Sequence, residues 1–188
     1  MIAVANEQKK RIHPHKFTMW IAIGSIVMMF AGLTSAYIIK RNQANWLSFE
    51  LPIAFWYSTA AIVISSITIW LAERYFKDRE MVKYRQLLIA TLVFGVVFII
   101  LQVIGFSQMW NRGLTLTKNV SISFLYPIIG LHALHVMGGV IALAVMFFRG
   151  FNKSKRNYSS IPVEIVSTYW HFVDFLWIYL LIFLVLIR

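Results

Sequence analysis

The stretch YWHFVDFLWIYLL, residues 169–181, lies inside an apolar run near residues 163–187. A helix of about 20 residues is long enough to cross a hydrocarbon core of roughly 30 Å, so this run predicts a membrane-spanning helix. Two ionisable residues, His171 and Asp174, nevertheless lie near its middle. Because ionisable groups are costly in lipid, the stretch also predicts that these two side chains have partners within the membrane.

The composition places the whole chain among integral membrane proteins. Of its 188 residues, 60% are hydrophobic and only 13% are charged, and the mean hydropathy is +0.71. A soluble domain of this length cannot bury so much apolar surface. The chain has no cysteine, which excludes disulfides and thiolate metal sites. The polar, basic start lacks a signal-peptide cleavage pattern, so we expect the first span to be retained.

Apolar runs of spanning length occur at five places, and they predict an all-α transmembrane bundle. Backbone polar groups must pair internally in lipid, so the runs are expected to be helices, and none alternates as a barrel strand does. The connections are short, which predicts a single membrane domain over residues 1–188. The five predicted spans are 17–39, 53–76, 87–110, 121–148 and 163–187.

The basic residues predict an orientation. They lie in short segments between the apolar runs rather than in one patch, which argues against nucleic-acid binding despite a formal net charge of +11. Thirteen Lys and Arg fall on the side of the N-terminus and five on the other, so the positive-inside rule predicts a cytoplasmic N-terminus and a periplasmic C-terminus. Contact of the basic side with anionic lipid is also expected. The larger group is Lys9, Lys10, Arg11, Lys16, Arg74, Lys77, Arg79, Lys83, Arg85, Arg149, Lys153, Lys155 and Arg156, and the smaller is Lys40, Arg41, Arg112, Lys118 and Arg188.

Two pairs of polar residues lie at membrane depth. His132 and His135 are three apart in the fourth run, as are His171 and Asp174 in the fifth. Residues three apart share a helix face. A rise of about 1.5 Å per residue puts His132 and His171 at one depth. We therefore expect the two pairs to meet across a helix–helix seam, or to bond a nearby hydroxyl or indole.

Three functional interpretations compete with a structural role for these groups. Histidines on facing helices could ligate a haem, a His–Asp relay could carry protons, and a His cluster could bind a metal. Gly138 and Gly139, which follow the histidine pair, favour close helix packing instead. Glu164 opens the fifth run, where a carboxylate suits the positive end of the helix dipole. The sequence contains no phosphate loop and no nucleophile elbow, which argues against a free-standing enzyme.

These motifs resemble cytochrome c oxidase subunit III of the haem–copper oxidases. GLHALHVMGG at residues 130–139 is followed by the pattern ExxxxYWHFVDxxW at residues 164–177. SIVMMFAGLTSAY at residues 25–37, Pro52 and LQ at residues 101–102 extend the likeness along most of the chain. Five spans resemble the short bacterial form, which lacks the first two of the family's seven helices.

The sequence departs from the family pattern at two positions. Ile26 and Gly105 stand where the family commonly has glutamate, so no role of those carboxylates transfers to this chain.

The resemblance implies a non-catalytic subunit of a proton-pumping terminal oxidase in a bacterial inner membrane. Such a subunit packs against subunit I and stabilises it, holds phospholipid and sustains proton uptake. Haems and copper belong to partner subunits, so this chain is expected to have no catalytic, cofactor or metal residues. Other oxidase subunits and a respiratory supercomplex are further expected partners, and either cytochrome c or quinol fits as electron donor. The alternative is an independent haem b or quinone-binding membrane cytochrome. The residues assigned to a structural polar seam are His132, His135, His171, Asp174 and Glu164.

Overall fold

The computed structural model describes residues 14–41, 51–114, 120–151 and 160–187. All five predicted spans are helical, and each helix is long and apolar enough to cross a membrane. Within the described ranges there is no strand, so the expected all-α membrane fold is confirmed. The helices extend up to six residues beyond the apolar runs because helical hydrogen bonding continues into the polar flanks. They are α1 (Pro14–Lys40), α2 (Ile53–Lys77), α3 (Met81–Asn111), α4 (Val120–Phe151) and α5 (Ile161–Ile187).

Helices α2 and α3 form a tight antiparallel hairpin. Their connection is only residues 78–80, in which Arg79 adopts a left-handed backbone conformation with φ 63°. The backbone N–H of Asp78 and that of Glu80 donate to the carbonyls of Arg74 and Tyr75, which satisfies the end of α2. This short turn fixes α2 and α3 side by side.

The helix neighbours define the shape of the bundle. Helix α5 contacts α1, α2 and α4, and α4 contacts α1, α3 and α5. Over the described residues the backbone of α1 does not approach that of α2 or α3. The α4–α5 pair therefore forms the centre, with the α2–α3 hairpin on one side and α1 on the other. Large fully buried side chains fill the space between them, including Phe30, Phe55, Phe98, Trp170 and Trp177.

Several basic residues used to predict the orientation lie outside the described residues. Lys40, Arg41, Arg74 and Lys77 are at helix ends within the described part. The orientation of the termini therefore stays a prediction. The basic residues outside the described ranges are Lys9, Lys10, Arg11, Lys118, Lys153, Lys155, Arg156 and Arg188.

Candidate functional site at the α4–α5 seam

His132 is enclosed by aromatic rings at the centre of the bundle. Its imidazole stacks on the indole of Trp177, with the ring centroids 5.2 Å apart and the planes 27° apart. Phe98 and Phe30 meet it edge-on at centroid distances of 5.9 and 6.4 Å. The residue is 0% exposed, and neither ring nitrogen has a hydrogen-bond partner in the described part of the chain. His132 therefore behaves as a packed ring rather than as a member of a polar network.

The register of α4 against α5 differs from the expected one. His132 lies opposite Trp177, and Gly139 lies opposite Trp170, seven residues along each helix. His171 is six residues from Trp177, which is about 9 Å along the helix axis. The prediction that His132 and His171 share a depth is therefore wrong. Its physical cause is that apolar run ends do not mark equal depths when helices extend beyond the hydrocarbon core by different amounts.

The side chain of His135 bonds to its own helix, and its backbone carbonyl accepts a bond from α5. Its Nδ1 lies 2.7 Å from the carbonyl oxygen of Leu131, and its ring meets Phe30 edge-on at 5.9 Å. The hydroxyl of Tyr169 in α5 donates to the backbone carbonyl of His135 at 3.1 Å. His135 thus contributes a backbone acceptor to the seam, while its side chain is satisfied locally.

The α5 pair faces α2 rather than the α4 histidines. His171 Nδ1 and Ser66 Oγ are 2.6 Å apart, which is a hydroxyl partner of the kind expected from the sequence. Asp174 is 3% exposed, and neither carboxyl oxygen has a hydrogen-bond partner among the described residues. The direct meeting of the His132–His135 pair with the His171–Asp174 pair does not occur.

Two tryptophans of α5 that have no role in the sequence-based prediction form hydrogen bonds to α2. The indole N–H of Trp170 donates to Ser65 Oγ at 3.0 Å, and that of Trp177 donates to Thr59 Oγ1 at 2.9 Å. The signal is visible in the sequence: both the tryptophans and the hydroxyls are about two helical turns apart, on helices that run antiparallel. Buried indole N–H groups need such acceptors.

Glycines make room for these large rings. A Cβ on Gly139 would lie 2.9 Å from Trp170, and one on Gly95 of α3 would lie 2.7 Å from the same indole. Trp170 is therefore clamped between α3 and α4, and Gly139 permits the close approach expected from the sequence. At Gly105 a Cβ would lie 2.5 Å from the ring of Phe55, so an aromatic ring fills the space beside this position.

Glu164 belongs to an ionic cluster at one end of the bundle rather than to the seam. Its carboxylate pairs with Lys16 of α1 and lies 3.8 Å from Lys77 of α2. Lys77 also pairs with Glu73 at 2.7 Å. The first turn of α5 is thereby tied to both α1 and α2.

A groove of about 630 Å³ opens near the same end of the bundle, between α1, α4 and α5. Its lining is mostly apolar and includes Met19, Ala142, Val145 and Ile165, with His15 also among the lining residues. The shape and lining suit a flexible hydrocarbon chain better than a polar substrate.

His132 and Asp174 are the most deeply buried of the candidate metal or cofactor ligands. No group of three or more His, Cys, Asp or Glu that could hold a metal occurs within the described residues. Axial ligation of a haem needs a free imidazole nitrogen beside an open plane, whereas the ring of His132 is packed by three aromatic rings. A relay from His171 to Asp174 would need further groups, since Asp174 has no hydrogen-bond partner in the described part.

Comparisons with known proteins agree with the resemblance seen in the motifs. The chain is 24% identical to cytochrome c oxidase subunit 3 of Bacillus sp. (strain PS3), over 86% of this chain and 80% of the relative. It is 28% identical to a probable cytochrome c oxidase subunit 3 of Nocardia farcinica, over 90% of this chain and 89% of the relative. It is 24% identical to a probable quinol oxidase subunit 3 of Staphylococcus aureus, over 88% and 85%. The family model described as cytochrome c oxidase subunit III matches residues 44–187, and the chain belongs to this family.

Proposed function

We propose that this subunit III is non-catalytic and that it packs against subunit I of its haem–copper oxidase and stabilises it. The observation that carries the proposal is the enclosure of His132 by Trp177, Phe98 and Phe30. This ring is the most deeply buried of the expected chemical groups, and its surroundings suit a rigid scaffold rather than ligation or proton transfer. The chain then contributes to oxygen reduction through the subunits that it supports.

The alternative of an independent haem b or quinone-binding cytochrome is less well supported. A bis-histidine haem requires two facing imidazoles, but His171 bonds to Ser66 of α2 and is about 9 Å out of register with His132. Haems and copper are accordingly assigned to partner subunits.

The proposed location is a bacterial inner membrane, with the N-terminus in the cytoplasm and the C-terminus in the periplasm. The excess of Lys and Arg on the N-terminal side supports this orientation. It places the Glu164 cluster and the groove between α1, α4 and α5 in the cytoplasmic leaflet.

This groove is the proposed site of a bound phospholipid. Apolar residues of three helices line it, so an acyl chain would bury its surface there as it does in the bilayer. Lys16 lies beside His15 in the sequence, at the groove end of α1; its ammonium group pairs with Glu164 but its side chain remains 40% exposed, so it can also face an anionic head group.

Purification in a mild detergent tests the function. A tagged chain should carry with it the haem- and copper-containing subunits of an oxidase, and membranes that lack the chain should give an oxidase that loses activity faster during turnover. A chain that purifies alone from native membranes, or an oxidase whose lifetime is unchanged without it, would contradict the proposal.

A further inference from the structure

Helix α1 is held to the bundle mainly by its C-terminal half. The side chains that this half buries almost completely are Phe30, Thr34 and Tyr37. The hydroxyls of Thr34 and of Tyr179 in α5 are 3.2 Å apart, which adds a hydrogen bond at this end. Before Gly24, by contrast, Ile23 is the one buried residue among the described residues of α1. The first turns of the helix are therefore packed less firmly than the rest.

These first turns form one wall of the groove between α1, α4 and α5. They contribute four lining residues that share a helix face: His15, Thr18, Met19 and Ala22. The facing walls include Ala142 of α4 and Ile165 of α5. The inner face of this part of α1 thus borders a cavity, and side chains beside a cavity lose the dispersion contacts that hold a packed helix in place.

A Gly–Ser pair, Gly24–Ser25, separates the two parts of α1. A Cβ on Gly24 would meet nothing within 4 Å, so no neighbouring side chain lies against the backbone at this point. The hydroxyl of Ser25 donates to the carbonyl of Ile21 at 3.0 Å, and such a bond back to the preceding turn often bends a helix. Glycine also lowers helix propensity, and Gly/Ser pairs are frequent sites of kinks. The first turns can therefore tilt here without disturbing the C-terminal half.

An ion pair holds the free end of this segment against α5. The ammonium group of Lys16 pairs with one carboxylate oxygen of Glu164, in the first turn of α5. The other oxygen lies 3.8 Å from Lys77 of α2, so Glu164 has a second cation at hand when Lys16 leaves. Both Lys16 and Glu164 are partly exposed. Exposed ion pairs of this kind are weak and are screened by salt, which makes the contact reversible.

We infer that residues 14–23 of α1 are a hinged wall of the groove, which turns about Gly24–Ser25 and is latched shut by the Lys16–Glu164 ion pair. Opening of the wall admits an acyl chain sideways from the bilayer. An anionic head group competes with Glu164 for Lys16, while Lys77 takes over the carboxylate. The inference rests on the proposed lipid site for the occupant of the groove and states how that occupant enters.

Distances between nitroxide labels, measured by pulsed electron resonance in the intact oxidase in lipid nanodiscs, test the latch. The chain has no cysteine, so introduced cysteines are its only thiols. Trp20→Cys with Phe148→Cys spans α1 and α4 near the groove. Ile39→Cys with Leu186→Cys is the control pair at the firmly packed end of α1. All four side chains are exposed, so the labels do not disturb the interior.

Loss of the latch should move only the groove end of α1. Glu164→Gln should add a population with a longer distance across the groove pair and leave the control pair unchanged. Glu80→Gln is the matched variant, because it removes another ion pair, with Lys83, that does not involve α1; it should change neither distance. Adding Gly24→Ala to Glu164→Gln stiffens the hinge and should reduce the longer population at least twofold. An unchanged groove distance in Glu164→Gln, an equal change in both label pairs, the same opening in Glu80→Gln, or no effect of Gly24→Ala would overturn the inference.

Salt provides a second measurement on the unchanged chain. The screening length falls from about 30 Å at 0.01 M to about 3 Å at 1 M, so the longer population should grow with salt, whereas in Glu164→Gln it should not. Equal salt dependence in both chains would contradict a latch at Glu164. Failure of these distances in an oxidase that still holds the chain and its phospholipid overturns the latch and leaves the proposed function standing. Salt-dependent opening in an oxidase that retains no phospholipid would overturn the lipid site instead.

Discussion

The imidazole of His132 and the indole of Trp177 stack across the α4–α5 seam, 5.2 Å between centroids. The same indole meets Phe98 edge-on at 5.3 Å and Phe55 at 5.9 Å, and its N–H bonds to Thr59. Trp177 thereby links four helices, α2 through α5, at one level. His132 is one of the rings that surround it, so a cluster of aromatic rings lies at the centre of the bundle.

The effect of replacing His132 on the stability of the chain should depend on the volume of the new side chain rather than on its polarity. His132→Phe keeps a ring and removes two buried nitrogens that lack partners, so we expect the chain to unfold at the same or slightly higher detergent concentration. His132→Ala leaves a cavity among three rings and should lower the free energy of unfolding by roughly 3 kcal/mol. If His132→Phe were as damaging as His132→Ala, the imidazole would have a polar partner after all.

The bond between Trp177 and Thr59 should appear as a coupling energy. A double-mutant cycle with Trp177→Phe and Thr59→Val separates the hydrogen bond from the packing lost with the indole. We expect the free energies of unfolding to be non-additive by about 0.5–1.5 kcal/mol, as is typical of such bonds. Additivity of the two changes would mean that this bond does not hold α5 to α2.

Two glycines offer a matched test of close packing. Gly139→Ala brings a methyl group to 2.9 Å from Trp170, which cannot retreat because Gly95 touches its other edge. We expect a loss of about 1–3 kcal/mol of unfolding free energy. Gly24→Ala on α1 meets nothing within 4 Å and gains helix propensity, so it should be neutral or stabilising by up to about 1 kcal/mol. Similar effects at both positions would argue against the clamp on Trp170.

The positions of the helices were predictable, whereas their mutual register was not. Apolar runs report the part of each helix that lies in hydrocarbon, which is why the predicted span near residues 53–76 and α2 (Ile53–Lys77) nearly coincide. The run near residues 87–110 misses the first turns of α3 (Met81–Asn111), because Lys83 and Arg85 are helical but polar. The runs that hold His132 and His171 are 28 and 25 residues long, or about 42 and 38 Å, so depths counted from their starts across a core of roughly 30 Å misplace the two histidines by about 9 Å.

The side chains of the seam were recognised only in part. The i, i+3 spacing identifies four polar residues, of which His132 and Asp174 are buried and His135 and His171 are partly buried. A spacing does not say which neighbouring helix a face meets. His171 bonds to Ser66 of α2, and the sequence analysis assigns no role to the tryptophans that bond to Ser65 and Thr59. Matching the two-turn spacing of hydroxyls on α2 to that of tryptophans on α5 would have predicted this interface.

Asp174 distinguishes a structural role from proton transfer. Its carboxyl group is buried, and no cationic group pairs with it among the described residues. Asp174→Asn removes the possibility of a buried charge, so we expect normal assembly, unfolding stability at or above that of the unchanged chain, and unchanged proton uptake by the oxidase. Uptake should be measured with Asp174→Ala in parallel. Normal assembly of both variants with uptake equally lost would establish a relay through Asp174 instead.

The visible spectrum of the chain after separation from its oxidase tests the central claim most directly. The complex is first purified intact, then dissociated in a stronger detergent, and the absorbance of each fraction is recorded. If the buried histidines are packing residues, all haem absorbance stays with the partner subunits, and the fraction holding this chain has no Soret band. A Soret band in that fraction, lost in the His132→Phe or His171→Gln variant, would contradict the account and make this chain a haem protein.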